Sequence, residues 1–204
     1  MAKGEFENRV AIVTGGAAGI GLATVERLAA GGAAVVIGDV GEGLAKKESD
    51  LREAGLEIRA RHADVCSSAD LEALASFAAN VYGGVDILVC SAGIQRYGTA
   101  VDTPEETWDE VLGVNLKGQF LAAKHTIPLM RRRGGGAIVN VASVQGLATQ
   151  PKVLPIRRAR AAYSRSRERW RSTMRRSTSE SMPSVLDQWT PRCCVGRPIS
   201  SEAT

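Results

Sequence analysis

The sequence predicts an α/β protein built on a Rossmann-like, doubly wound parallel sheet, and three observations carry that prediction. An apolar strand, Val10-Ala-Ile-Val-Thr14, runs straight into the spaced glycines Gly15, Gly19 and Gly21, which open a helix. A second apolar run, Ala33 to Gly38, ends on an acid, Asp39, 18 residues beyond Gly21. From there to Val141, strand-length apolar runs alternate with helix-length segments. That rhythm requires parallel strands joined by right-handed crossovers, with helices on both faces of the sheet.

Taken in order, the elements are a strand over Val10 to Thr14 and a helix over Gly19 to Gly31, then a strand over Ala33 to Gly38 and a helix over Glu42 to Gly55. A strand follows over Glu57 to His62, and a helix over about Ser68 to Tyr82, for which Ser67 or Ser68, followed by Glu72, supplies a cap. The next strand spans Val85 to Cys90. Helices then occupy Pro104 to Arg133, started by Pro104-Glu105-Glu106, since proline and acids suit a first turn. The last readable strand is Ala137 to Val141. No fixed-period repeat is present.

The glycine spacing has a chemical reading. Gly15 permits a tight turn, side-chain-free Gly19 lets backbone approach a pyrophosphate, and Gly21 allows close packing of helix on sheet. The N–H groups at Gly19, Ile20 and Gly21 and the positive end of the helix dipole then face the phosphates. Asp39 stands where a carboxylate accepts hydrogen bonds from an adenosine ribose. Gly38 and Val40 beside it offer no positive charge, so NAD is favoured and NADP less so, its 2′-phosphate being repelled.

The spacing Thr-Gly-x3-Gly-x-Gly, together with Asp64-Val65, Ser91-Ala92-Gly93, Asn115-x2-Gly118 and Ser143, resembles the classical short-chain dehydrogenase/reductase family over residues 7 to about 153. The resemblance implies hydride exchange between nicotinamide and an alcohol or ketone carbon. It implies that Asp64 and Val65 lie beneath the adenine, and that Ser91, Ala92 and Gly93 line the nicotinamide-side ribose. Ser143 would hold the substrate oxygen, and Asn115 would kink a helix and support a proton relay. Family members assemble as dimers or homotetramers, and the helix carrying Phe120, Leu121, Ile127 and Leu129 would there pack against a later helix and a neighbouring subunit. Gln95, Arg96 and Gln145 are the candidates expected to face a polar substrate such as a sugar, polyol or hydroxy acid.

Two departures stand out. Ser91 replaces the family's usual asparagine, which keeps a small residue at that position. The family's Tyr-x3-Lys pair, expected about 13 residues after Ser143, falls on Ile156 and Arg160. Tyr163 to Arg167 imitates that pair, but 20 residues after Ser143 and with a guanidinium in place of an ammonium.

Composition breaks at the same place. Residues 1–150 hold 14 Lys and Arg against 18 Asp and Glu, a net of −4, whereas residues 151–204 hold 12 against 4, a net of +8. Back-translated from Leu154 and read one base earlier, this tail permits a Tyr-x3-Lys, with the tyrosine codon across Pro155 and Ile156, and a later Pro-Gly. Three positions leave no codon choice: Met182-Pro183 forces Ala, Trp189-Thr190 forces Asp, and Cys193-Cys194 forces Leu. The expectation is a dinucleotide-binding domain over 1–153, then a frameshifted Arg/Ser-rich, disordered tail over 154–204. The last strands and the active-site helix would be missing or scrambled, leaving an oxidoreductase crippled in this chain, or an inactive dinucleotide-binding module.

Other function classes are poorly supported. No leader or apolar span of membrane length is present, so a cytoplasmic protein is expected. Cys66 and Cys90 flank strand ends and read as buried thiols rather than a disulfide. Two histidines, His62 and His125, with no cysteine close by in a ligand pattern, argue against a metal site. Arg131-Arg132-Arg133 ends a helix, where cations complement the dipole without needing nucleic acid. The basic tail could hold RNA or another polyanion only loosely, since it has no recognition fold.

Overall fold

The structure is a computed structural model that describes residues 4–143. Five parallel strands stand in the order β3-β2-β1-β4-β5. They are β1 (Val10–Thr14), β2 (Ala34–Asp39), β3 (Ile58–His62), β4 (Ile87–Cys90) and β5 (Ala137–Asn140). The intervening helices are α1 (Gly19–Ala30), α2 (Leu44–Glu53), α3 (Ser68–Tyr82), α4 (Glu105–Leu112) and α5 (Gly118–Arg132). A π-helical turn, Gly113–Lys117, joins α4 to α5. The expected tail and its boundary at 153 lie outside the described residues, as do Gln145, Ile156, Arg160 and Tyr163.

The period-2 alternation of each strand sorts its side chains onto two faces. Ala11, Val13, Val35, Ile37 and Val89 meet Val25 and Leu28 of α1 and Leu44 and Leu51 of α2. Ile12, Val36, Leu88 and Cys90 meet Leu71, Leu74 and Ala78 of α3 and Leu121, Ala123 and Ile127 of α5. Ile12, Ile37, Leu74 and Leu88 are essentially inaccessible, and each such burial contributes about 1.5–3 kcal/mol. Gly38 lets α3 close on β2, because a Cβ there would collide with Leu74.

Element ends differ from the sequence reading by a residue or two, and one cap differs in kind. Ser67 caps α3 by accepting from the Asp70 N–H, and its hydroxyl donates to the Asp70 carboxylate at 2.9 Å. Asp70, three residues into the motif, takes the part the sequence reading gave to Glu72. Its second oxygen accepts from the Asp64 N–H at 3.0 Å, which with the Ser67 hydroxyl holds its carboxyl below the ordinary value. A shorter acid at this position therefore closes the turn after β3 as well as the helix end.

Candidate cofactor and active site

The register places Thr14 beside Gly38 and beside Cys90, and Cys90 beside Asn140. The loops that follow these residues therefore rise together from the carboxyl ends of the strands. Chain order reverses between β1 and β4, since β2 lies on one side of β1 and β4 on the other. Crevices at such a reversal are where open α/β sheets bind ligands.

Backbone contact makes the crevice narrow. Gly15 has φ +67° and donates its N–H to the Gly38 carbonyl at 2.8 Å. A Cβ on Gly15 would stand 2.6 Å from the Ala92 backbone, so the turn after β1 presses directly on the turn after β4. Ser91 donates back to the Thr14 carbonyl at 3.1 Å. Gly21 packs under this turn, where any Cβ would collide with the Gly15 carbonyl.

Gly19, at φ +54°, has open space where a side chain would project. Helix α1 has no side-chain cap and no acid in its first turn. The residues present fit a dinucleotide pyrophosphate there: unsubstituted backbone, helix N–H groups free of a side-chain cap, and a positive dipole end with no acid in the helix's own first turn. Ile20, in that first turn, is exposed.

Asp39, the last residue of β2, reaches over this turn. Its Oδ2 accepts from the Ala17 N–H at 3.0 Å and its Oδ1 from the Gly41 N–H at 3.0 Å. It does not cap α2, whose N-cap is Gly43. Beyond it lies the turn after β3. Asp64 is exposed, and its Oδ1 accepts from the Cys66 N–H at 2.8 Å. Val65 is buried against Gly118, where a Cβ would stand 3.0 Å away.

On the other side, Asn115 sits in the π-helical turn and is fully buried. Its Nδ2 donates to the Val111 carbonyl, four residues back, and to the Ile94 carbonyl, both at 3.0 Å. The π-helical turn loosens the regular ladder, and the amide occupies a freed carbonyl while fixing the loop after β4. Arg96 in that loop forks onto Glu110 of α4 at 2.6 and 3.1 Å, so its guanidinium is already partnered. Ser143 is half-buried, three residues beyond β5 on the strand next to β4.

Two thiols flank the site. Cys90 is fully buried, and burial pushes its thiol up to about 12. Burial, with Asp64 nearby, raises Cys66 as well. Both are free cysteines, Cys66 only half-buried. Among the described residues no group of three His, Cys, Asp or Glu is arranged to hold a metal ion, and no helix is long and apolar enough to cross a membrane.

Sequence reasoning missed Asp86. This buried acid lies just before β4, at the opposite end of the sheet, and accepts from the Val10 N–H at 2.9 Å and from Arg9 and Arg133. The sequence presents Arg133 as a dipole partner alone, although a lone acid opening an apolar run is a signal for its partner. Leu121, Ile127 and Leu129 are likewise buried against α3 and the sheet within this chain, and only Phe120 of that set is exposed.

The family model for short chain dehydrogenases matches residues 9–168. The chain is 42% identical over 146 residues to a cis-4-hydroxycyclohexanecarboxylate dehydrogenase from Sinomonas cyclohexanicum, covering 71% of this chain and 59% of that one. It is 38% identical over 144 residues to a D-beta-hydroxybutyrate dehydrogenase from Cupriavidus necator, covering 70% and 55%. A crystal structure of a short-chain dehydrogenase/reductase from Burkholderia phymatum in complex with NAD is similar at a TM-score of 0.81 and 32% identity, over 85% of this chain and 63% of that one. The chain belongs to the short-chain dehydrogenase family, an oxidoreductase family with a Rossmann-like fold. It spans a little over half the length of the curated relatives it matches.

Proposed function

We infer that this chain binds NAD(H) in preference to NADP(H), in the crevice between the turns after β1, β2 and β4, as part of an oxidoreductase acting on an alcohol or ketone. The observation that carries this reading is Asp39, a carboxylate fixed at the lip of a glycine turn whose helix start lacks both cap and acid. Gly15, Gly19, Ile20 and Gly21 would take the pyrophosphate, Asp39 the adenosine ribose, Asp64 and Val65 the adenine, and Ser91, Ala92 and Gly93 the second ribose. The nicotinamide, when bound, accepts or releases hydride. Ser143 orients the substrate oxygen by hydrogen bonding, and Asn115 holds the loop that carries Ser91 to Ile94. Ile156 and Arg160 occupy the positions of the family's proton-transferring pair, which leaves turnover in this chain weak.

The substrate reading is a small hydroxy compound, with hydroxy acids foremost, because two relatives carry such acids in their names. A fluorescence titration at one salt concentration tests the cofactor reading. NADH should bind about 5- to 150-fold more tightly than NADPH, corresponding to on the order of 1–3 kcal/mol for a lost ribose contact and added repulsion. Equal affinities would sink it.

A homo-oligomer fits the same reading. Half-buried Leu112 and Leu116 and exposed Phe120 lie at i, i+4 and i+8, with Asp109 and Lys117 eight residues apart along the same face. A second copy packed antiparallel on this face, centred near Leu116, would cover the apolar row. Phe120→Glu should return a dimer to monomer in sedimentation, and a monomeric parent chain would refute the arrangement.

A further inference from the structure

We propose that Asp39 is a positioning residue that locks three loops into binding shape, beyond its reading as the group that selects between NAD and NADP. The proposal rests on the cofactor reading above, and it makes a different prediction about substitution. A residue that only selects the ribose needs no bonds from its carboxylate to the surrounding loops. Here both oxygens already accept backbone N–H groups, Oδ2 from Ala17 in the turn after β1 and Oδ1 from Gly41 in the turn after β2. Its main-chain carbonyl accepts from the Ala63 N–H at 3.0 Å, in the turn after β3. Three successive loops at the adenosine side of the crevice are thus tied to one residue.

Those bonds have steric company. Ala17 sits between Gly16 and Ala18, in a turn whose glycines at 15 and 19 both have positive φ and confer little stiffness of their own. Asp39 supplies the only side-chain acceptor that any described N–H of residues 15–19 reaches. Each carboxylate oxygen has two lone-pair directions, so accepting one N–H apiece leaves capacity for the ribose hydroxyls. The carboxylate is therefore fixed before any ligand arrives, and ribose recognition and pyrophosphate recognition share one support.

Neutralising Asp39 separates the two roles by sign. If Asp39 only selects, Asp39→Asn removes the repulsion of a 2′-phosphate, and NADPH binds more tightly than in the parent chain. If Asp39 locks the loops, a single amide oxygen replaces two acceptors and an NH2 group faces a backbone donor. NADH then weakens by tenfold or more while NADPH fails to gain, so the preference narrows only because NADH falls. Asp39→Glu keeps the charge but displaces the oxygens by a methylene, and should weaken both cofactors while leaving the preference for NADH in place.

The experiment combines amide hydrogen exchange of the ligand-free chain with NADH and NADPH titrations of the parent, Asp39→Asn and Asp39→Glu proteins. Expected is at least tenfold faster exchange at Ala17 and Gly41 in both variants, with the amides of β1 unchanged as the sign that each still folds. Unchanged exchange at Ala17, or tighter NADPH binding by Asp39→Asn, would overturn the proposal. If one variant does not fold, the other decides by the same two readouts. Failure of the parent chain to bind NADH would instead overturn the cofactor reading, and Ala17 exchange would still decide whether Asp39 locks the loops.

Discussion

Arg133, the C-cap of α5, forks onto Asp86 ahead of β4, with Nη2 to Oδ2 at 2.9 Å and Nε to Oδ1 at 3.3 Å. The acid is 5% exposed and also accepts the Val10 N–H, so it joins the starts of β1 and β4 to the end of α5. Gly84 makes room for the guanidinium stem, since a Cβ there would strike the Arg133 side chain. Asp86→Asn keeps an acceptor for Val10 but turns an NH2 group toward the arginines. Because both arginines are partly exposed, the expected loss is only about 2 kcal/mol, rather than the larger cost of a sealed pair. Thermal unfolding should move down by roughly 4–8 °C with NADH affinity unchanged. A drop in NADH affinity at temperatures where the variant is folded would show that this end of the sheet is coupled to the crevice.

Asn115 should affect stability and cofactor binding together. Asn115→Ala leaves the Val111 and Ile94 carbonyls without their side-chain donor, at about 1–3 kcal/mol for each buried group left unpaired. Ile94 follows Ser91-Ala92-Gly93 directly, so the loop beside Gly15 loosens. Urea unfolding should show the stability loss, and NADH titration a weakening of about tenfold, whereas Asp86→Asn shows only the first. An Asn115→Ala protein of parental NADH affinity would confine the residue to helix architecture.

The strands and the glycine turn were legible because each rests on a short-range rule. The apolar runs read as buried parallel strands, and Gly15, Gly19 and Gly21 announced a turn needing positive φ or bare backbone. Asp39 was legible as a site residue, but its grip on Ala17 and Gly41 was not, because hydrogen bonds across loops leave no periodic trace. The π-helical turn was legible only as a kink expected at Asn115. Asp86 was hidden for the same reason as Ala17: its partners, Arg9 and Arg133, lie 77 and 47 residues away. The capping rule favours glutamate and so points to Glu72, whereas Asp70 reaches the Ser67 hydroxyl and the Asp64 N–H from the shorter side chain.

The two thiols should report unfolding and alkaline stability. Cys90 holds its proton to about pH 12 while folded, but ionises near the ordinary thiol value when unfolded. Its raised value therefore stabilises the fold fully below pH 9, and that contribution is lost as pH rises from 9 toward 12. Iodoacetamide at pH 8, followed by peptide mapping, should modify half-buried Cys66 before Cys90, and Cys90 only in step with global unfolding. Labelling of Cys90 at the rate of Cys66 in the folded chain would contradict the buried environment.

Catalysis should separate from binding in this chain. Ser143 can hold a carbonyl oxygen by a hydrogen bond, but moving the hydroxyl proton in the hydride-transfer step requires a titratable group beside it. At the sequence spacing where the family carries its proton-transferring pair, this chain has Ile156, whose side chain cannot ionise, and Arg160, whose guanidinium does not give up its proton. General acid and base assistance is worth about 10² to 10⁴ in rate. The decisive comparison is NADH formation by the 204-residue chain and by a version whose tail from about codon 153 is replaced by its neighbouring-frame translation, over a panel of hydroxy acids, polyols and sugars. The expected result is comparable NADH binding, with turnover at least a hundredfold lower in the chain as it stands. Equal turnover would show that another residue moves the proton, and Tyr163→Phe would then be the substitution to make, since its hydroxyl is the nearest remaining phenol in the sequence.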